Sequence, residues 1–241
     1  MYRIEIAGED ALIIYFNSSP LDNNSALEIS AQVQQATKRL AIALKRYSID
    51  QIPSYASLLL IFDPLRIDHF KVRKIIANTI GTKSNPKNDV EKIDHESNII
   101  ELPVYYSEES GPDLSQISKH SGLSIDEIIT IHQSMTYRVY AIGFAPGFAF
   151  LGQVDKRIAS PRLNTPRLQV PRGAVGIADQ QTAIYPEVSP GGWNIIGISP
   201  TRMFDSNSSP NMPVKVGDDV RFKKISKNEF ISLGGELGDY K

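Results

Sequence analysis

Three clusters in the second half of the chain have compositions that suit a small-molecule site. The first runs from Gly143 to Leu151, where two glycines and a proline stand among three phenylalanines, including Phe144 and Phe148. Glycine lets a backbone approach a ligand closely, and aromatic rings can wall off a pocket. Taken by itself, however, the segment fits a tight barrel corner with aromatic residues in the core better than it fits a ligand site.

The second cluster repeats a proline–arginine pair every five residues, at Pro161-Arg162, Pro166-Arg167 and Pro171-Arg172. Each proline fixes its own φ and restricts the residue before it, so the segment is predicted to be an extended loop with its arginines on a stiff backbone. Such arginines suit two-pronged capture of a carboxylate or phosphate. Solvated charges, or ion pairs with local acids such as Asp155 and Asp179, are an equally good interpretation.

The third cluster runs from Ser189 to Trp193, where Gly191 and Gly192 precede the single tryptophan of the chain. Adjacent glycines permit positive φ, and their exposed N–H groups can form a nest for an anion. The structural alternative is a turn followed by a core indole.

His132 and Tyr137 precede the three clusters and are the candidate acid–base residues, although a histidine in this position more often caps a helix C-terminus. Other chemistry is poorly supported. The chain has no cysteine, its four histidines lack metal-ligand spacing, and no phosphate-binding or dinucleotide-binding glycine motif is present. No methionine is followed by lysine, so no biotinylation site is expected, and no metal is predicted in this chain.

Net charge and hydropathy also limit which classes of partner are expected. Lysine plus arginine number 26 against 27 acidic residues, so neither a nucleic acid nor a membrane surface is expected as a partner. Residues 1–10 lack a secretion signal, and the apolar runs are far shorter than the roughly 20 residues that span a bilayer. The expected location is the cytoplasm.

The N-terminal third predicts a small α+β domain that reads β-β-α-β-α. Short β-rich runs alternate with amphipathic, capped segments of helical period. The predicted elements are strands at 2–7 and 11–16, a helix at 24–47, a strand at 55–62 and a helix at 67–80.

A polar stretch without apolar periodicity separates this region from the rest, so we predict domains at 1–84 and 98–241 joined by a linker at 85–97. After a strand at 98–106 and helices at 113–121 and 124–134, residues 141–200 hold eight glycines and seven prolines. Such a stretch favours short strands and a β-barrel or sandwich, continued by a hairpin at 214–222.

Several motifs together resemble the B subunit of the bacterial 5-oxoprolinase. That family includes proteins labelled allophanate hydrolase subunit 1 and an inhibitor of a sporulation histidine kinase. The resemblance covers essentially the whole chain. Its motifs are His132 with Tyr137, Gly143 to Phe148, Pro161-Arg162 with Pro166-Arg167, Val175 to Ala178, Gln181-Thr182 with Ile184 to Pro186, and Pro190 to Trp193.

The resemblance implies an α+β protein with a small N-terminal α/β sandwich domain and a C-terminal cyclophilin-like β-barrel. It also implies a hydrolase. With the related, larger C subunit as a carboxyltransferase-like pair, and with the A subunit, the chain would open 5-oxo-L-proline to L-glutamate using ATP bound somewhere in the complex. The lone chain is expected to be nearly inactive. The domain pair also occurs in biotin-dependent urea carboxylases, a kinship of fold only.

The implied site lies at the barrel mouth. His132 or Tyr137 would assist proton transfer, and Arg162 or Arg167 would hold the carboxylate of 5-oxoproline or a phosphorylated intermediate. The full set of substrate-binding candidates is Phe144, Phe148, Arg162, Arg167, Gly191, Gly192 and Trp193. Two alternatives stay open: a regulator that inhibits a sensor histidine kinase through a protein-binding surface, and a scaffold for partner subunits that carry all the chemistry.

Overall fold

The computed structural model describes residues 2–16, 26–81 and 99–240, which fall into two compact units at 1–96 and 97–241. The predicted linker at 85–97 lies outside the described residues, and the predicted domain ranges stay a prediction. In the three described stretches, no helix is both long enough and apolar enough to cross a membrane.

In residues 2–16 and 26–81, the first unit forms a four-stranded antiparallel sheet with two helices. The elements are β1 (Tyr2–Ile6), β2 (Ala11–Phe16), α1 (Ala26–Ala43), β3 (Ser48–Pro53), β4 (Ser57–Phe62) and α2 (His69–Ile80). Strand order is β1-β2-β4-β3, and alternate residues of β2 and β4, such as Leu12 and Leu60, are buried in one core with residues of both helices. The predicted β-β-α-β-α order missed β3, an edge strand whose polar Asp50 and Gln51 disguise its pattern.

In its described part, residues 99–240, the second unit combines short strands with three helices. Its elements are β5 (Ile100–Val104), α3 (Leu114–Ser121), α4 (Ile125–Ser134), β6 (Tyr137–Ile142), β7 (Ala149–Gly152), β8 (Arg167–Val170), β9 (Ala174–Ala178), β10 (Gln181–Ile184), β11 (Ser189–Gly191), β12 (Asn194–Ile198), β13 (Asp219–Lys224) and α5 (Lys227–Ser232).

Seven of these strands form a nearly closed barrel in the order β12-β9-β10-β7-β6-β13-β5. The two ends of the sheet approach each other through an antiparallel bridge between Tyr105 and Ile198. β8 and β11 form a separate two-stranded ribbon. The structure confirms a mixed α/β protein with a barrel-like sheet, whereas the likeness to cyclophilin stays a prediction.

The hairpin predicted at 214–222 is wrong in its first half. Only Asp219–Lys224 forms a strand, and it pairs in parallel with β5 and antiparallel with β6. Residues 214–218 make a turn in which Gly217 has a φ of 94°, a conformation that glycine adopts without strain. Val216 therefore lies in the turn, and only Val220 of the alternating valines lies in the strand.

Candidate functional site

The proline–arginine loop before β8 is held by hydrogen bonds to the segment that follows β11. Asn194 donates from Nδ2 to the carbonyl of Pro161 at 2.8 Å. The backbone N–H of Leu163 donates to the carbonyl of Gly192 at 2.7 Å. The loop is thus pre-ordered, as the spacing of its prolines predicted.

Arg167 does not offer a free charge, because it forms a two-pronged ion pair with Asp113. Its Nη1 and Nη2 lie 2.9 and 2.7 Å from the two carboxylate oxygens, and the side chains are only 19% and 6% exposed. Asp113 also accepts a bond from the N–H of Ile195 at 2.6 Å. The expected local acids, Asp155 and Asp179, are not its partners, and the pair joins the start of α3 to β8 and β12.

Arg162, by contrast, is exposed, and its guanidinium carbon lies 5.9 Å from the centroid of the Trp193 ring. No carboxylate of the described stretches forms an ion pair with it. Arg162 lines a cleft of about 190 Å³ between α3 and the loop, and no acidic side chain contributes to the lining. The full lining consists of Gln116, Ile117, His120, Ser160, Pro161, Arg162, Leu163, Asn164 and Asn194.

Two lining residues that sequence analysis missed could have been found from their spacing. Gln116 and His120 are four residues apart on α3, which places them on one helix face. Asp113 and Asn194 gave no such signal, because their roles depend on contacts between distant segments. Asp113 stands immediately before a helix, where an acidic residue usually indicates only a cap.

Most of the aromatic residues that were predicted to form the wall of a site lie in the hydrophobic core. Phe148 and Trp193 are buried, with ring centroids 5.7 Å apart, and they pack in one cluster with Tyr185. Only Phe144 presents its ring to solvent, at 77% exposure and with a φ of 73°, while its edge contacts Phe148 at a centroid distance of 5.5 Å. None of these rings lines the cleft, although the guanidinium of Arg162 lies over the ring of Trp193.

Gly191 allows close packing in this structure, whereas Gly192 contributes its backbone carbonyl to the bond with Leu163. Neither has a positive φ, so the anion nest that two adjacent glycines permit is not formed. Gly191 lies opposite Arg167 in the β8–β11 ribbon, and a Cβ at Gly191 would collide with the hydroxyl of Tyr185. Burial raises the pKa of Tyr185 to about 12, so its phenol stays protonated at neutral pH.

His132 lies in the barrel core, away from the cleft. Its Nδ1 is 2.8 Å from the hydroxyl of Tyr106 and its Nε2 is 3.0 Å from the hydroxyl of Thr182, while its ring stacks on Phe222. Burial lowers the pKa of His132 to about 3, so the imidazole is neutral. Tyr137 donates its hydroxyl to the backbone carbonyl of His132 at 2.9 Å, and burial raises its pKa.

The structure therefore does not bring the two predicted acid–base residues to the cleft. A ring that is fully buried and hydrogen-bonded at both nitrogens cannot contact a ligand there in this conformation. Their catalytic role stays a prediction. What the described residues assemble at the cleft is one uncompensated cation, an imidazole and three amides, a set that suits a small anion.

Comparison with known proteins identifies the family to which the chain belongs. The family model of the carboxyltransferase domain, subdomain C and D, matches residues 2–214. A relative from Bacillus subtilis, named as the B subunit of 5-oxoprolinase, is 37% identical over 242 residues, which is 95% of each chain.

Two solved structures are similar over most of the chain. The protein TTHA0988 is 29% identical with a TM-score of 0.74; the match covers 95% of this chain but only 41% of TTHA0988. Urea carboxylase from Kluyveromyces lactis has a TM-score of 0.68 at 16% identity and shares the fold; there the match covers 96% of this chain and 22% of the enzyme. The chain belongs to the carboxyltransferase subdomain C and D family and, within it, to the B subunits of 5-oxoprolinase.

Proposed function

We propose that this chain is a component of an ATP-dependent 5-oxoprolinase. It would act with the larger C subunit as a carboxyltransferase-like pair and with the A subunit, in the cytoplasm, to open 5-oxo-L-proline to L-glutamate. The reaction adds one water and breaks the lactam C–N bond, with ATP hydrolysis as the coupled step. The name of the Bacillus subtilis relative, matched along nearly the whole of both chains, supports this role.

The observation that carries the proposal is the difference between the two candidate arginines. Arg167 is neutralised by Asp113, whereas Arg162 faces a cleft without acidic lining. A carboxylate would gain a charge-assisted hydrogen bond from Arg162 without displacing an existing partner. We therefore assign the substrate carboxylate to Arg162, and we assign Arg167 to holding the loop that carries it.

A second candidate, the inhibitor of a histidine kinase, has its own supporting observation. Phe144 and Leu168 are 77% and 83% exposed, and solvent-facing apolar side chains of this size suit contact with another protein. Kinase autophosphorylation in the presence of the chain, compared with a Phe144→Ser and Leu168→Ser double variant, tests it. Inhibition that the double variant loses would favour the regulator.

The enzyme role is tested by expressing the chain with the C and A subunits and measuring glutamate formed from 5-oxo-L-proline, with and without ATP. We expect ATP-dependent glutamate that disappears when this chain is omitted. Loss of one charge-assisted hydrogen bond costs roughly 1.5–3 kcal/mol, so Arg162→Gln should lower kcat/KM roughly 10- to 150-fold in an assembled complex.

The matched control is Arg172→Gln, because Arg172 has the same proline–arginine context but does not line the cleft. This variant should keep normal kinetics. A complex that assembles fully yet makes glutamate equally well without this chain would contradict the proposal.

A further inference from the structure

Residues 233–240, here called the strap, follow α5 without forming a helix or a strand. The strap begins against the helix, where the N–H of Gly235 donates to the carbonyl of Phe230 at 2.9 Å. Further along, Gly238 lies so close to Pro171 that a Cβ at Gly238 would collide with the proline ring. Because Pro171 directly follows β8, the strap is held against the end of that strand.

Tyr240 fastens the far end of the strap to the segment before α3. Its hydroxyl donates to the backbone carbonyl of Ser110 at 2.6 Å, and its ring packs against the buried cluster that contains Trp193. Burial raises the pKa of Tyr240, and the nearby charges of Arg167 and Asp113 act on it with opposite signs. The hydroxyl therefore stays protonated at neutral pH and remains a hydrogen-bond donor.

The strap connects the same two segments as the Arg167–Asp113 ion pair. Ser110, which binds Tyr240, lies three residues before Asp113. Pro171, which contacts Gly238, lies four residues after Arg167. An ion pair weakens as water reaches it, because a higher dielectric reduces the Coulomb energy. Strap contacts that hold these two segments together therefore also favour the ion pair.

The strap is nevertheless weakly held over most of its length. Leu233 and Leu237 are 53% and 42% exposed, and three of the eight strap residues are glycines, so little apolar surface is buried besides that of Tyr240. Segments with few buried apolar contacts open locally at a low free energy. We therefore expect the strap to open while the barrel stays folded.

We propose that the strap is a positioning element for the loop that carries Arg162. When Tyr240 is bound, the strap reinforces the Arg167–Asp113 ion pair, and that pair holds the loop. When the strap opens, the ion pair becomes hydrated and the loop gains freedom. The consequence for catalysis rests on the proposed function, whereas the consequence for the loop does not.

Hydrogen exchange of the full chain, followed by mass spectrometry, tests this proposal without any substrate. Tyr240→Phe keeps the ring but removes the donor to Ser110. Loss of one such bond corresponds to roughly five- to tenfold easier local opening, so exchange in residues 162–170 should be faster by about this factor. Gly238→Ala, whose methyl group would meet Pro171, should act in the same direction.

The matched control is Tyr105→Phe. The Tyr105 hydroxyl also donates at 2.6 Å, to Glu109 Oε1, but this bond is exposed and lies outside the strap. The control should leave exchange in residues 162–170 unchanged. If the strap only stabilised the whole unit, exchange would rise equally in β6, inside the barrel sheet. Equal acceleration in β6 and in the loop, or no acceleration in the loop with either strap variant, would overturn the proposal.

Kinetics separate this proposal from the proposed function. Truncation after Ser232 removes the strap and should raise the KM of the assembled complex for 5-oxo-L-proline several-fold, with a smaller effect on kcat. If the complex makes no glutamate, the proposed function falls and hydrogen exchange still decides the role of the strap. If glutamate forms and the loop is released without a change in KM, the strap positions the loop but the assignment of Arg162 to the substrate falls.

Discussion

Replacing Asp113 with alanine should severely destabilise the second unit. The substitution leaves the guanidinium of Arg167 without its partner at 19% exposure, and it removes the acceptor of the Ile195 N–H. Removing one partner of a buried ion pair costs about 3–5 kcal/mol. With a urea m-value of about 2 kcal/mol per molar, the midpoint should fall by roughly 1.5–2.5 M.

Tryptophan fluorescence is the suitable assay. Trp193 is the single tryptophan of the chain and lies in the same unit as Asp113, two residues before Ile195. Its emission therefore reports the unfolding of this unit. Urea titrations of the wild type and Asp113→Ala would give the two midpoints.

Two further variants make the reasoning refutable. Glu101→Ala breaks an exposed pair with Lys223, at 54% and 62% exposure, and should leave the midpoint nearly unchanged. Adding Arg167→Met to Asp113→Ala removes the unpaired charge and should recover part of the loss. If Asp113→Ala shifts the midpoint no more than Glu101→Ala does, or if the double variant recovers nothing, the ion pair is not what stabilises this region.

A glycine substitution and a change of pH should each alter the stability of the protein in a direction that follows from the structure. Gly191→Ala places a methyl group against the Tyr185 hydroxyl and should lower the melting temperature by several degrees, whereas Gly192→Ala meets only ordinary contacts at 3.6 Å and should be tolerated. His132 has a folded pKa of about 3 and an ordinary unfolded value, so the unfolded chain binds the extra proton below about pH 6.5. Stability should therefore fall as pH falls from 6.5 towards 3, by up to about 1.4 kcal/mol per pH unit, and His132→Leu should flatten that slope in urea titrations. A wild-type slope that persists in the variant would show that another group titrates.

Much of the fold could be predicted from short-range patterns in the sequence. The helix predicted at 124–134 is present as α4, and the capping box at its start, formed by Ser124 and Glu127, joins residues only three apart. The extended loop followed from Pro161 and Pro166 for the same reason, since a proline restricts only itself and its neighbour.

The site depended on contacts that no local pattern encodes. Asp113 and Arg167 are 54 residues apart, so nothing near Arg167 in the sequence revealed which acid would neutralise it. Composition also could not separate a ligand wall from a core: Phe148 and Trp193 have the same identity in either setting, and only the packing of the barrel buried them. The difference between Arg162 and Arg167 also arises only from contacts between segments that are distant in sequence.

The parallel pairing of β5 with β13 has a consequence for how the protein is made. Val220 pairs with Ile100, so the first and last strands of the second unit are neighbours although nearly the whole unit lies between them in sequence. Synthesis proceeds from the N-terminus, and β6 lacks its neighbour on one side until residues 219–224 have emerged from the ribosome. Because the chain must lose the entropy of closing that long loop before the pairing stabilises it, we expect the barrel to close late and slowly. Until then, the unpaired edges of β5 and β6 can form non-native pairings with other strands. Pairing of β13 with both strands removes these exposed edges.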